Sequence, residues 1–196
     1  MKHILIIFSF LLLIPLLFDS LNMLHGREMT VLDGVGFVSM GFDRSSCYHR
    51  QPDSFNPLAA FIFEGIGEDE VIGDFGLIGG GAAGLEIDCA EARLVTPPHA
   101  LVVASSVWEH SDVFRVTLKD LAYNSPIATG TTSELVRADM VFFETANGGG
   151  VFSVGSINWC GALAHNDYDN NVVAYNRKCV AAVHGAQATL EKPTAL

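Results

Sequence analysis

The apolar and polar positions of this chain sort into short runs rather than long amphipathic stripes. Residues 59–64 form an apolar run closed by Glu64, and residues 71–78 form another, interrupted by Gly73 and Asp74; both predict strands. Leu85-Glu86-Ile87-Asp88 alternates apolar with acidic, the two-residue period of a half-exposed strand. Residues 100–106 stay apolar until Ser105 and Ser106, behind a Pro97-Pro98 pair that blocks a helix. A run of that kind, apolar on both faces, suits a sheet covered by helices. Residues 140–143 and 151–154 are joined through Asn147-Gly148-Gly149-Gly150, whose glycines supply positive φ at little steric cost, so they predict a hairpin. Short helices are expected at 133–139 and at 159–163. Together these elements predict an α/β fold, a three-layer sandwich.

Between these runs, residues 26–60 carry turn chemistry: Gly34, Gly36 and Gly41, then Pro52-Asp53-Ser54 and Asn56-Pro57. The pattern divides the chain into a hydrophobic segment at 1–20, a body at 26–173 and an unpatterned tail at 174–196. Residues 4–18 are apolar except Ser9 and Pro15 and come directly after Lys2 and His3, which is how a secretory signal begins. No small-x-small cleavage site is present after it, and the run falls short of the roughly 20 residues of a membrane span. A signal, an anchor and a spurious start all stay open, and the segment is left out of the fold.

Composition narrows the function classes. Apolar residues make up 49% and charged ones 17%, which excludes disorder for the body. The net charge of −11, with 11 Lys and Arg and no run of them, excludes nucleic acid as a partner. Cys47, Cys89, Cys160 and Cys179 are far apart, with no C-x-x-C or Cys/His pairing, so no metal ligands are expected in this chain. None of them sits in a glycine-flanked elbow, so thiol-dependent amide transfer lacks a nucleophile.

The strongest chemical candidate lies just past the glycines. Residues 79–84 satisfy G-x-G-x-x-G, but residues 85–88 alternate like a strand, and Glu86 and Asp88 would repel phosphate. A close backbone turn beside a site fits better. Glu86 and Asp88, two apart, project to one face; Glu86 is a candidate general base with a pKa raised by burial or a neighbouring charge, against the alternative of two solvated side chains. Glu109-His110-Ser111-Asp112 holds Ser, His and Asp without a G-x-S-x-G elbow, and reads as a polar loop in which His110 is a substrate-binding candidate. Residues 165–171 lack the spacing of a calcium loop or a His pair. Asp43-Arg44 suits an internal ion pair as well as a ligand.

Several blocks in one order carry more than any of these motifs alone. Gly41-Phe-Asp-Arg-Ser-Ser46, residues 61–66, residues 72–88, residues 100–106 with His110-Ser111-Asp112, and the hairpin block at 137–159 resemble the C-terminal domain of the N,N-dimethylformamidase large (beta) subunit-like family, over roughly 36–173. The resemblance implies a fold like class I glutamine amidotransferase domains, incomplete here. It implies hydrolysis of a linear amide C–N bond, an N,N-dimethylformamide-like substrate giving an amine and formate. The family uses a mononuclear iron held by two tyrosines and a glutamate, with a further glutamate assisting; that last role falls on Glu86. The iron ligands belong upstream of the stretch covered, so none of Tyr48, Tyr123, Tyr168 or Tyr175 is assigned and no cofactor is expected within this chain. Members are several times longer, which implies a C-terminal piece, inactive alone, completed by a missing N-terminal portion or a small subunit. The resemblance puts the protein in the cytoplasm; a genuine segment at 1–20 would anchor or export it. An alternative of another class is a non-catalytic α/β binding or assembly module, free or membrane-tethered.

Overall fold

The computed structural model of the chain describes residues 4–7, 33–94, 96–118, 123–146 and 148–179. Among the described residues nine strands form in chain order: β1 (Ile4–Ile7), β2 (Gly36–Ser46), β3 (His49–Arg50), β4 (Ala83–Cys89), β5 (Leu101–Ser105), β6 (Arg115–Leu118), β7 (Tyr123–Thr129), β8 (Asp139–Glu144) and β9 (Gly150–Ser153). They build a five-stranded sheet, β1-β9-β8-β5-β3, and a four-stranded sheet, β4-β2-β6-β7. Every pairing is antiparallel except β1 beside β9.

The expected three-layer α/β sandwich, and with it the likeness to glutamine amidotransferase domains, is overturned: the described residues are mostly β, with few and short helices. The reason lies in what covers the apolar strands. Along β8, Met140 and Phe142 enter the main core while Val141 and Phe143 join a second cluster with Val35 and Val151. Ala90 and Ala100, from loops, pack on that second cluster. A strand buried on both faces therefore needs no helix here; loop residues do the covering. The main core draws Val38 from β2, Ile87 from β4, Val116 from β6, Ala104 from β5 and Phe152 from β9, so both sheets share it.

Local expectations fare unevenly. The strands at 85–88 and 100–106 and the hairpin form, the latter in register Val141↔Ser153 and Phe143↔Val151. Residues 59–64 instead make a short 3₁₀ turn, Ala60–Ile62, and residues 71–78 contribute a single bridge, Ile72 to Tyr48. At Gly73 the chain turns with φ of 69° and packs so closely on Ala82 that a Cβ would not fit, which breaks the run. Residues 133–139 hold turns rather than a helix. Helix α1 (Asn158–Ala162) forms where expected and buries Trp159. Helix α2 (residues 171–179) runs into the stretch expected to be an unpatterned tail, and buries Val172, Tyr175 and Cys179 at three- and four-residue spacing. Ile4–Ile7, in the segment left out of the fold, pairs along β9, while the rest of 1–20 and residues 180–196 lie outside the described residues. No helix among the described residues is long and apolar enough to cross a membrane.

Candidate functional site

Strand β4 carries Glu86 opposite Met40 of β2, and its neighbours are fixed from the other side by the turn that leaves β9. The amide of Asp88 donates to the Gly155 carbonyl at 2.8 Å, and Ile87 bridges Ser156. Ser156 clasps Gly84: its Oγ accepts from the Gly84 amide at 2.9 Å and donates to the Gly84 carbonyl at 3.2 Å. Asn158, the first residue of α1, donates through Nδ2 to Ser45 Oγ at 2.5 Å and to the Ile78 carbonyl at 3.1 Å. Ser45, Ser156 and Asn158 are all buried. A glycine is required at 84 because any Cβ there would overlap the Ser45 side chain. The glycine-rich turn thus leads into a strand and not into a helix, as the sequence indicates, and it is joined to the hairpin's exit by a satisfied polar network.

On this frame Glu86 is half-buried. Burial, and then the charge of Asp88, hold its carboxyl above the ordinary range. Asp33, buried just ahead of β2, belongs to the same electrostatic group. Its carboxyl is pushed up to about 7, by burial first and by Asp88 as well, against the hydrogen bond it accepts from the Val35 amide at 3.3 Å. Nothing in the sequence around Asp33 distinguishes it from a turn aspartate, since its burial is a product of tertiary packing.

His110 is held by a different set of partners. It is 3% exposed, its Nε2 is 2.7 Å from Ser106 Oγ and its ring packs on Phe114. Burial lowers its pKa to about 4, so the ring is neutral at pH 7. The four residues of the polar loop diverge: Glu109 faces His49, His110 meets Ser106, Ser111 donates to Asp43 at 2.7 Å, and Asp112 accepts from Thr129 at 2.7 Å. No triad forms from them. Asp43 accepts from Ser111 and from the backbone of Arg44, and it forms no ion pair with the Arg44 guanidinium.

Glu86 lines neither of two clefts found among the described residues. One, of about 280 Å³, runs past Ser105, Arg137 and Asp139. Asp139 is fully buried and accepts from Arg137 Nε at 2.9 Å, Ser105 Oγ at 2.7 Å and the Ala90 amide at 2.9 Å. The guanidinium also donates to the carbonyls of Glu134 and Ala90. Those donors are engaged, which makes the cleft structural. The other, of about 260 Å³, is lined by Ser46, Cys47, Asp74 and Glu109. Cys47 Sγ, His49 Nε2 and a Glu109 carboxylate oxygen there lie within 4.8 Å of one another. Metal-ligand spacings of the C-x-x-C kind do not reveal this group; C-x-H on a strand was the available signal.

Tyr48 donates to the Val154 carbonyl at 2.7 Å, edge-on to Trp159, whereas Tyr175 is buried against Phe63 and Tyr168 is exposed. The side chain of Tyr123 lies outside the described residues.

Comparison with known proteins gives one consistent result. The family described as N,N-dimethylformamidase beta subunit-like, C-terminal, matches residues 23–170. The chain is 49% identical over 153 residues to an N,N-dimethylformamidase beta subunit from Paracoccus aminophilus, covering 78% of this chain and 20% of that protein. It is 50% identical over 148 residues to one from an Alcaligenes species, covering 76% and 19%. The chain spans about a fifth of the length of these relatives.

Proposed function

Since the chain belongs to the N,N-dimethylformamidase beta subunit-like C-terminal family, we propose that it is the part of an amide hydrolase that supplies an assisting carboxylate, Glu86, to the cleavage of a small linear amide. The observation that supports this most directly is Glu86 itself, half-buried, raised in pKa and held between β2 and the turn after β9. A carboxylate whose pKa is raised by burial accepts a proton more readily than a solvated one and can return it in a later step. In this role Glu86 takes a proton from the attacking water as the C–O bond forms. It then gives that proton to the amine nitrogen as the C–N bond breaks. An N,N-dimethylformamide-like substrate yields an amine and formate.

The iron of the family supplies Lewis acidity when bound, and in this reading its ligands come from polypeptide other than this chain. Phe42 and Leu77, 74% and 79% exposed, flank the glycine turn and offer apolar surface toward such a polypeptide or small subunit. The chain alone therefore releases no formate from dimethylformamide.

The decisive experiment places this domain in a full-length relative and changes Glu86→Gln. Hydrolysis should fall about 10²–10⁴-fold with the melting temperature unchanged. Unaltered turnover would reduce Glu86 to a structural side chain.

A further inference from the structure

Cys47 and His49 stand two residues apart where β2 gives way to β3, and their side chains meet on one side of the chain while Tyr48 between them is buried in the core. Glu109 reaches the same place from a distant turn. There Trp108 adopts φ of 65° and the Glu109 amide is tied back to the Ser106 carbonyl at 3.1 Å. That turn lies directly after β5, whose Ser105 pairs with His49, so the sheet fixes both sides of the group. His49 Nε2 lies 3.8 Å from Cys47 Sγ and 3.5 Å from Glu109 Oε1.

A tetrahedral ion with ligands at about 2.0–2.3 Å spaces its donors about 3.3–3.8 Å apart, which both His49 distances already match, while Cys47 and Glu109 stand within 4.8 Å of each other. The donor mixture, one sulfur, one imidazole and one carboxylate, suits a borderline-soft divalent cation rather than calcium or magnesium. Asp74 lines the adjoining cleft and Arg44 stands on its rim, so two carboxylates outweigh one guanidinium there.

We propose that Cys47, His49 and Glu109 form a three-ligand site for a zinc-class divalent ion, its fourth position facing the cleft beside Asp74. This stands on different residues from the Glu86 reading and survives or fails independently of it.

The test uses the full chain stripped with chelator, titrated with Zn²⁺ by calorimetry and with Co²⁺ by absorption. One ion per chain should bind, and Co²⁺ should show a thiolate charge-transfer band. Cys47→Ser should abolish that band and weaken Zn²⁺ binding at least about 100-fold, since loss of even an outer-shell partner costs about 10–100-fold. Glu109→Gln, at a surface side chain, should weaken it about tenfold without moving the melting temperature of the metal-free chain. Cys160→Ser should change nothing. No uptake of Zn²⁺, or an unchanged band and affinity in Cys47→Ser, overturns the proposal and leaves His49 and Glu109 as an ordinary surface pair.

Discussion

Asp33 shows how a single side chain can set the pH response of the fold. Its carboxyl is pushed up to about 7 in the folded chain, against about 3.9 when unfolded. Between those values the folded state holds a proton that the unfolded state has released, so the stability that Asp33 contributes is fully present below about pH 4 and is lost as pH rises through 7. Glu86, raised in the same direction, adds to the slope with the same sign. Asp33→Asn should therefore flatten the fall in melting temperature between about pH 4 and 7, and an unchanged slope would show that the burial of Asp33 is relieved in solution. At this scale the sequence told part of the story. The alternation at 85–88 marked Glu86 as a strand residue whose burial raises its pKa, but Asp33 and the joining of Cys47 to Glu109 depend on which loops meet, which no local pattern encodes.

Among the elements, β2 and β4 pair over the longest stretch, Gly36–Ser46 against Ala83–Cys89. Their register shifts between Gly41 and Ser46, and the bulged stretch brings Ser45 onto Gly84 and Asn158. Gly84→Ala should cost about 1–3 kcal/mol, read as a lower denaturant midpoint, because the added methyl must displace a hydrogen-bonded serine. A loss under about 0.5 kcal/mol would mean that Ser45 steps aside. Elements with a strict two-residue period or a glycine hairpin were legible, as β4, β8 and β9 show, and so was β5 behind its proline pair. An apolar run alone was not enough elsewhere. Residues 59–64 are as apolar as β5 and residues 71–78 nearly so outside Gly73-Asp74 and Gly76, yet Gly65 and Gly73, both at positive φ, turn the chain before a ladder can extend. The reverse error occurred at α2, where Val172, Tyr175 and Cys179 keep helical spacing that polar neighbours disguise.

Across the whole molecule, the two sheets are held together by one core and by the ion pair at its edge. Arg137 and Asp139 lie at the start of β8, yet they bind Ala90, just past the end of β4 in the other sheet. Burial raises the Asp139 carboxyl, and Arg137, Ser105 and Ala90 work against that rise. Arg137→Met would strand that carboxylate, at a cost of about 3–5 kcal/mol in urea unfolding, and Arg137→Met with Asp139→Leu should recover much of it. Equal loss in both variants would point to packing and not charge. Fold class escaped the sequence for a related reason: alternation identifies a strand, but whether its second face meets a helix, a sheet or a loop is decided by residues far along the chain.

The five residues from Ser45 to His49 do two jobs with almost no slack between them. At one end Ser45 is wedged under the strand that bears Glu86; at the other Cys47 and His49 face outward, with Tyr48 anchoring the middle in the core. Only three residues separate Ser45 from His49, and one of them, Tyr48, is pinned in the core, so a substitution at Ser45 leaves little chain in which to hide its effect on Cys47 and His49.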